Sequence, residues 1–200
     1  MSKKVWFCGK NCKKVKPSSS PSSMNGCHSK RRKFVFHNEG VNRNCDGGQH
    51  VINLAKYVNS QGSGIYYHFI YCPDCGQWAQ AIPVDKAARS LKGGAVDSCG
   101  ASGNRCGKVA IQVCFAGYGS KKLPNPKNWK NKGKFKKIAK EWGIKPKARN
   151  FEKVNRSKSK WNDKAIGYHA HSHAPNNDHH DIVGNKLDWK NFKKHVLEID

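Results

Sequence analysis

The chain has 200 residues, 36% of them apolar, and a mean hydropathy of −0.82. That is room for one domain with a modest core, and no stretch approaches the roughly 20 apolar residues of a membrane-spanning helix, which excludes an integral helical membrane protein. The formal charge is +25, from 38 Lys and Arg against 13 Asp and Glu, a field that attracts nucleic acid, anionic membrane or anionic cell-wall polymer.

Residues 1–32 read as a basic N-terminal arm. They hold nine Lys and Arg, no acid and the run Pro17-Ser18-Ser19-Ser20-Pro21-Ser22-Ser23. This composition offers little to bury and disfavours a packed element. The start, Met1 to Trp6, is basic without an apolar h-region, so no Sec signal peptide is expected. Residues 33–200 read as the folded domain. Lys33-Phe34-Val35-Phe36 predicts a short strand ending at His37, and Val51, Ile52, Leu54, Ala55 and Val58 recur at helical spacing over 49–59. Residues 65–71 are β-branched and aromatic. With the turn Cys72-Pro73-Asp74-Cys75-Gly76 and a return over 77–82 they predict a hairpin. A short helix over 85–91, a Gly/Ser loop over 92–107 and a buried strand over 108–115 follow. Phe135, Ile138, Ala139 and Trp142 mark an amphipathic helix that stops at Gly143. A strand over 165–171 leads into a His-rich loop, and Asp188 N-caps a last helix that turns Trp189, Phe192 and Val196 inward. Alternating strands and helices predict an α/β fold, a central mixed sheet flanked by helices.

The chemistry concentrates between Gly167 and Asp181, where five of the chain's ten histidines and two aspartates fall within 15 residues. Zinc takes imidazole nitrogen and carboxylate oxygen, and a catalytic site keeps one position open for water. A strand-end His and a carboxylate about ten residues on supply two ligands, and His37, ending the first strand, is the natural third. Strand periodicity puts His169 and His171 on one face and does not choose between them.

Four blocks then fall in order. They are Phe34-Val35-Phe36-His37-Asn38-Glu39-Gly40; Tyr67-His68-Phe69-Ile70 with Gln80 and Pro83; Asn104 to Val113; and His171-Ser172-His173-Ala174-Pro175 through His179-His180-Asp181, followed by Leu187-Asp188-Trp189. Together they resemble the zinc-dependent N-acetylmuramoyl-L-alanine amidases of the peptidoglycan-recognition-protein fold, as found in phage endolysins. The resemblance implies zinc ligands His37, His171 and Asp181, with His169 and His173 as competing choices and Asp178 as the alternative carboxylate. It implies Tyr67 as a catalytic-site residue and His179 as the group that meets the oxyanion. His68 alternates with Tyr67 and reads as a structural residue. Two positions depart from the family: Ile182-Val183-Gly184 stands where Pro-Gly is common, and Asn38 stands where a small or aromatic residue is usual.

The implied activity is hydrolysis of the amide between N-acetylmuramic acid and L-alanine. The implied partner is bacterial peptidoglycan, with anionic wall polymers drawn to the arm and to the Lys-rich 121–164 stretch. The expected localisation is synthesis in a host cytoplasm and action at the cell wall. Two other classes fit parts of the sequence. One is a non-catalytic peptidoglycan-binding module. The other is a basic zinc-containing nucleic-acid-binding protein or nuclease, with Trp129, Trp142 and Trp161 among lysines. Of the nine cysteines, an odd number, Cys72-x-x-Cys75 has the spacing of a zinc-knuckle half-site. Cys99 and Cys106 are its expected partners in a second, structural zinc site, and Cys114 reads as a small core residue.

Overall fold

The computed structural model describes residues 4–16, 33–60, 67–91, 110–154, 156–157, 161, 166–175, 178–182 and 186–199. The elements in chain order are β1 (Cys12–Lys14), β2 (Lys33–Asn38), α1 (Gln49–Ser60), β3 (Phe69–Tyr71), β4 (Trp78–Gln80), β5 (Ala110–Phe115), α2 (Gly133–Glu141), β6 (Gly167–Ala170) and α3 (Trp189–Phe192). Helix α3 runs on as a π-turn over Lys193–Leu197. The strands form one mixed sheet in the order β1-β4-β3-β5-β2-β6. β3 and β4 pair antiparallel as the expected hairpin, and the other neighbours pair parallel. The fold is α/β, a central mixed sheet with helices on both faces.

Strand side chains alternate between faces, and here the two faces differ in chemistry. Phe34, Phe36, Phe69, Tyr71, Ile111, Val113, Phe115 and Tyr168 cover one face. Phe135, Ile138 and Ala139 of α2, with Phe192 and Val196 after them in the chain, close over it. The opposite face carries Ile70, Ala79 and Cys114 beneath Val51, Ala55 and Val58 of α1. Gly143, at φ +65°, stops α2, and the Ile144 amide reaches back to the Ala139 carbonyl at 2.9 Å. Asp188 caps α3 by accepting from the Asn191 amide at 3.0 Å.

Three expectations need correction. First, residues 4–16 are packed, contrary to the arm reading of 1–32. Phe7 and Val15 are buried, and β1 adds an edge strand beside β4. The Gln80 side chain explains this. Its amide oxygen accepts from the Phe7 amide at 2.7 Å and its amide nitrogen donates to the Val5 carbonyl at 2.8 Å. The Ser/Pro run lies outside the described residues. Second, residues 85–91 form no helix. His68 Nε2 bonds the Lys86 carbonyl and Gln112 Nε2 donates to the Ala88 carbonyl, so side chains take the acceptors that a helix would use. Third, Trp129, Trp142 and Trp161 are buried and offer no stacking platform for bases. The 92–107 loop, with Cys99, Cys106 and the Asn104 to Gly107 part of the third block, lies outside the described residues. Among those residues, no helix is long and apolar enough to cross a membrane.

Candidate metal centre

Strands β2 and β6 run parallel with Phe36 opposite Ala170, so His37 and His171 emerge side by side where the strands end. In open α/β sheets, ligands bind beyond the carboxyl ends of the strands. The His37 and His171 rings lie 4.4 Å apart, both buried. Asp181 arrives from the following loop. Ile182 pins that loop: it is fully buried in the aromatic core and takes a left-handed φ of 57°. The departure at Ile182 therefore replaces a turn-forming residue with a core anchor. One Asp181 carboxylate oxygen is 3.1 Å from His171 Nδ1, and Oδ2 is 3.6 Å from His37 Nδ1 and 3.3 Å from the Asn38 amide.

Ligand atoms of His37, His171 and Asp181 all lie within 4.8 Å of one another. His37 Nε2 sits 3.1 Å from Gln112 Oε1, and the Gln112 amide nitrogen donates to the Ala88 carbonyl at 2.7 Å, which fixes the amide's orientation. His37 Nε2–H therefore donates to Gln112, and Nδ1 keeps its lone pair. That buried Nδ1 has no hydrogen-bond partner and faces a carboxylate. Two acceptors facing each other are poorly matched unless a cation lies between them. The set of two imidazoles and one carboxylate fits zinc, and the Gln112 contact is the outer hydrogen bond that metal-binding histidines require. Burial and neighbouring His171 lower the His37 pKa to about 4, so the ring is neutral near pH 7. Burial works against the Asp181 carboxylate, yet His171, His179 and His37 hold its pKa far below the usual range.

The other site residues fall into two groups. Tyr67 lies beside the cluster, its ring 5.2 Å from His37, and burial raises its hydroxyl pKa well above 10. His179 stacks on His171 at 4.2 Å, with Nδ1 3.5 Å from Asp181, and is half exposed. Both line an open groove of about 1180 Å³ whose far wall is Leu54 and Tyr57 of α1. The alternatives lie elsewhere. The Asp178 side chain is 85% exposed. His173 accepts from the Ala170 amide through Nδ1 and bonds the Asn150 and Lys153 carbonyls through Nε2, which occupies both nitrogens. His169 packs deeper, against Trp161. His68 is structural, accepting from the Gln112 amide at Nδ1 and bonding the Lys86 carbonyl at Nε2.

Sequence reasoning missed three residues. Gln112 and Ser90 form the support behind His37, Ser90 hydroxyl donating to Gln112 Oε1. Glu39 is buried at the mouth, where it accepts from the Gly117 amide at 2.6 Å and meets His50 Nε2 at 2.7 Å. The polar Gln112 in an otherwise apolar strand was the available signal. Replacing Gln112 with Leu is expected to weaken metal affinity about 10- to 100-fold, checked by competition with a chromophoric chelator.

The buried histidines also set an acid response. His37 and His173 are each lowered to about 4 from 6.5, the latter by burial and then by Arg149, and burial also holds His169 well below its usual range. The unfolded chain therefore binds more protons between pH 6.5 and about 4. Metal-free protein is expected to lose stability as pH falls through that window, by up to about 1.4 kcal/mol per pH unit per histidine. Urea midpoints across the window check this, and a flat profile contradicts it.

In sequence, no protein-family model and no curated protein matches the chain. In structure, the chain is similar to the Staphylococcus aureus hydrolase AmiA, solved with its ligand, at a TM-score of 0.50 and 11% identity over 86% of this chain and 74% of that one. It also aligns with N-acetylmuramoyl-L-alanine amidase LysC from Clostridium intestinale, at a TM-score of 0.47 and 12% identity over 94% and 99% of the two chains. A mutant endolysin from Bacillus subtilis aligns at a TM-score of 0.43 and 18% identity, over 68% and 79%. The AmiA likeness shows that the two chains share a fold.

Proposed function

We propose that the chain is a zinc-dependent peptidoglycan hydrolase that cleaves the amide between N-acetylmuramic acid and L-alanine. The observation that carries this reading is the convergence of His37, His171 and Asp181, of which His171 and Asp181 line an open groove, on a fold similar to that of the hydrolase AmiA. When bound, zinc supplies Lewis-acid polarisation of the carbonyl and lowers the pKa of a water to about 7. Water oxygen adds to the carbonyl carbon, the carbon–nitrogen bond breaks, and the L-alanine amine leaves with a proton.

The chain's own residues prepare that step. Gln112 and Ser90 hold the His37 ring so that Nδ1 faces the centre. The Asn38 amide steadies Asp181. Tyr67 lines the groove beside His37, where it orients the reacting groups. His179, stacked on His171 and reaching the groove, donates to the developing oxyanion; loss of such a donor costs roughly 100- to 1000-fold in rate. The open groove of about 1180 Å³ has room for substrate, with Tyr57, 61% exposed, in its lining. The +25 charge draws the protein to anionic wall polymers, an attraction that salt screens within about 8 Å at physiological ionic strength. The reading extends to an endolysin-like role in bacterial lysis.

The test is digestion of purified peptidoglycan with and without a chelator, followed by mass spectrometry. New L-alanine amino termini on intact glycan strands, abolished by chelator and restored by zinc, are expected. Binding without cleavage, whatever metal is added, sinks the enzyme and supports a recognition module on the same fold.

A further inference from the structure

A second cluster lies at the hairpin turn, away from the groove. Cys45, Cys72 and Cys75 bring three sulfur atoms within 4.8 Å of one another. Cys45 and Cys72 are joined as a disulfide, and Cys75, half-buried, carries a free thiol. A disulfide needs two sulfurs, and the fold holds a third against the pair.

The turn that carries two of them is built for sulfur ligation. The Cys75 amide donates to Cys72 Sγ at 3.5 Å, and the Gly76 amide donates to the Cys72 carbonyl at 2.9 Å. Backbone N–H groups aimed at sulfur stabilise thiolate charge. Gly76 sits at φ +71°, and a Cβ there would lie 2.6 Å from Lys130 Cβ, so this position tolerates no side chain. The Asn131 side chain donates to the Gly76 carbonyl at 2.9 Å and the Lys130 amide to the Pro73 carbonyl at 3.2 Å, which pins the turn from outside. Cys45 comes from a separate segment, just before the turn Asp46–Gly48 that leads into α1. A cavity of about 430 Å³ opens beside Cys45 and Cys75. Its lining includes Asp46 and Asp74 as well as Arg43, Lys121 and Lys130. Zinc on three thiolates carries a net charge of −1, which those cations offset, and a carboxylate of the lining, Asp46 or Asp74, supplies the fourth position that a closed structural site fills.

We propose that Cys45, Cys72 and Cys75, once reduced, form a structural zinc site that ties the start of α1 to the β3–β4 turn. Cys45 thereby joins the Cys72/Cys75 half-site, while Cys99 and Cys106 lie outside the described residues. Reduction balances simply. A dithiol gives two electrons and two protons to the Cys45–Cys72 bond and becomes a disulfide itself. Zinc then displaces the protons of three thiols. The site stands apart from the histidine centre, and helix α1, which it anchors, forms one wall of the groove.

The test uses the full chain carrying His171→Ala, which disables the histidine centre, reduced and freed of reductant. Titration with cobalt is expected to give thiolate-to-cobalt charge-transfer absorption at about one equivalent per chain, bleached by zinc. Adding Cys75→Ser is expected to weaken cobalt retention about 100-fold or more. Should that variant misfold by circular dichroism, peptide-resolved alkylation of the parent decides instead. Zinc must protect Cys45, Cys72 and Cys75 together. Absence of the charge-transfer band, its persistence in a folded Cys75→Ser variant, or alkylation of Cys75 at the same rate with and without zinc each overturns the proposal. None of these readouts depends on peptidoglycan cleavage.

Discussion

Replacing His171 with Ala is expected to abolish metal retention at the histidine centre and to lower peptidoglycan hydrolysis by about 1000-fold or more. A three-ligand site left with two loses both affinity and the open geometry on which hydrolysis depends. Asp181→Ala is expected to behave alike. It also strips the Asn38 amide of its acceptor and leaves His171 without its carboxylate at 3.1 Å. The contrast is Asp178→Ala. That side chain is 85% exposed and outside the cluster, so activity should stay within about twofold of the parent. Metal content by mass spectrometry and initial rates on the same preparations check the set. Metal and activity retained in Asp181→Ala would remove Asp181 from the ligand set. Loss in Asp178→Ala would move the carboxylate three residues back.

The two imidazole positions were legible for different reasons. His37 ends a short apolar strand, and His171 follows a second one. In a parallel sheet, strands that end in step place such residues side by side. What the sequence lacked was the register. His169 and His171 share a strand face by period, and only the pairing of Phe36 with Ala170 puts His171 beside His37. His173 resembled a ligand because a residue type does not reveal whether its nitrogens are already engaged. The chain turns into a 3-10 segment at His171, and His173 folds back onto the Ala170 amide. The hairpin, α1, α2 and the last helix were legible because local pattern and caps agree. The edge strand β1 was not, since its anchor, the Gln80 amide, lies 66 or more residues away in sequence. Charge and serine content dominate residues 1–32 and mask the apolar triplet Val5-Trp6-Phe7 within them.

Phe36→Ala is expected to cost about 3–5 kcal/mol of stability, against the roughly 5–15 kcal/mol that a domain commonly has. Its ring lies within 6.2 Å of Phe34, Phe115, Phe135, Phe151, Tyr168 and Phe192, which joins the sheet to both helices on that face. The cavity left behind is walled by aromatic rings from five elements and the 151 segment, which cannot collapse together. Urea unfolding should show a lower midpoint at unchanged slope. Tyr57→Ala, at a 61% exposed position, should fall within about 0.5 kcal/mol of the parent. Phe36 and His37 are successive residues of β2 that face opposite ways, so the core and the proposed metal centre share one strand. A metal that binds only the folded chain adds RT ln(1 + [L]/Kd), about 2.7 kcal/mol at a hundredfold excess over Kd. Zinc should therefore restore much of the midpoint lost in Phe36→Ala. It should restore far less when His171→Ala is added, since the coupling runs through ligands that strand β2 helps to align. Equal recovery in both variants would mean that zinc acts elsewhere on the chain.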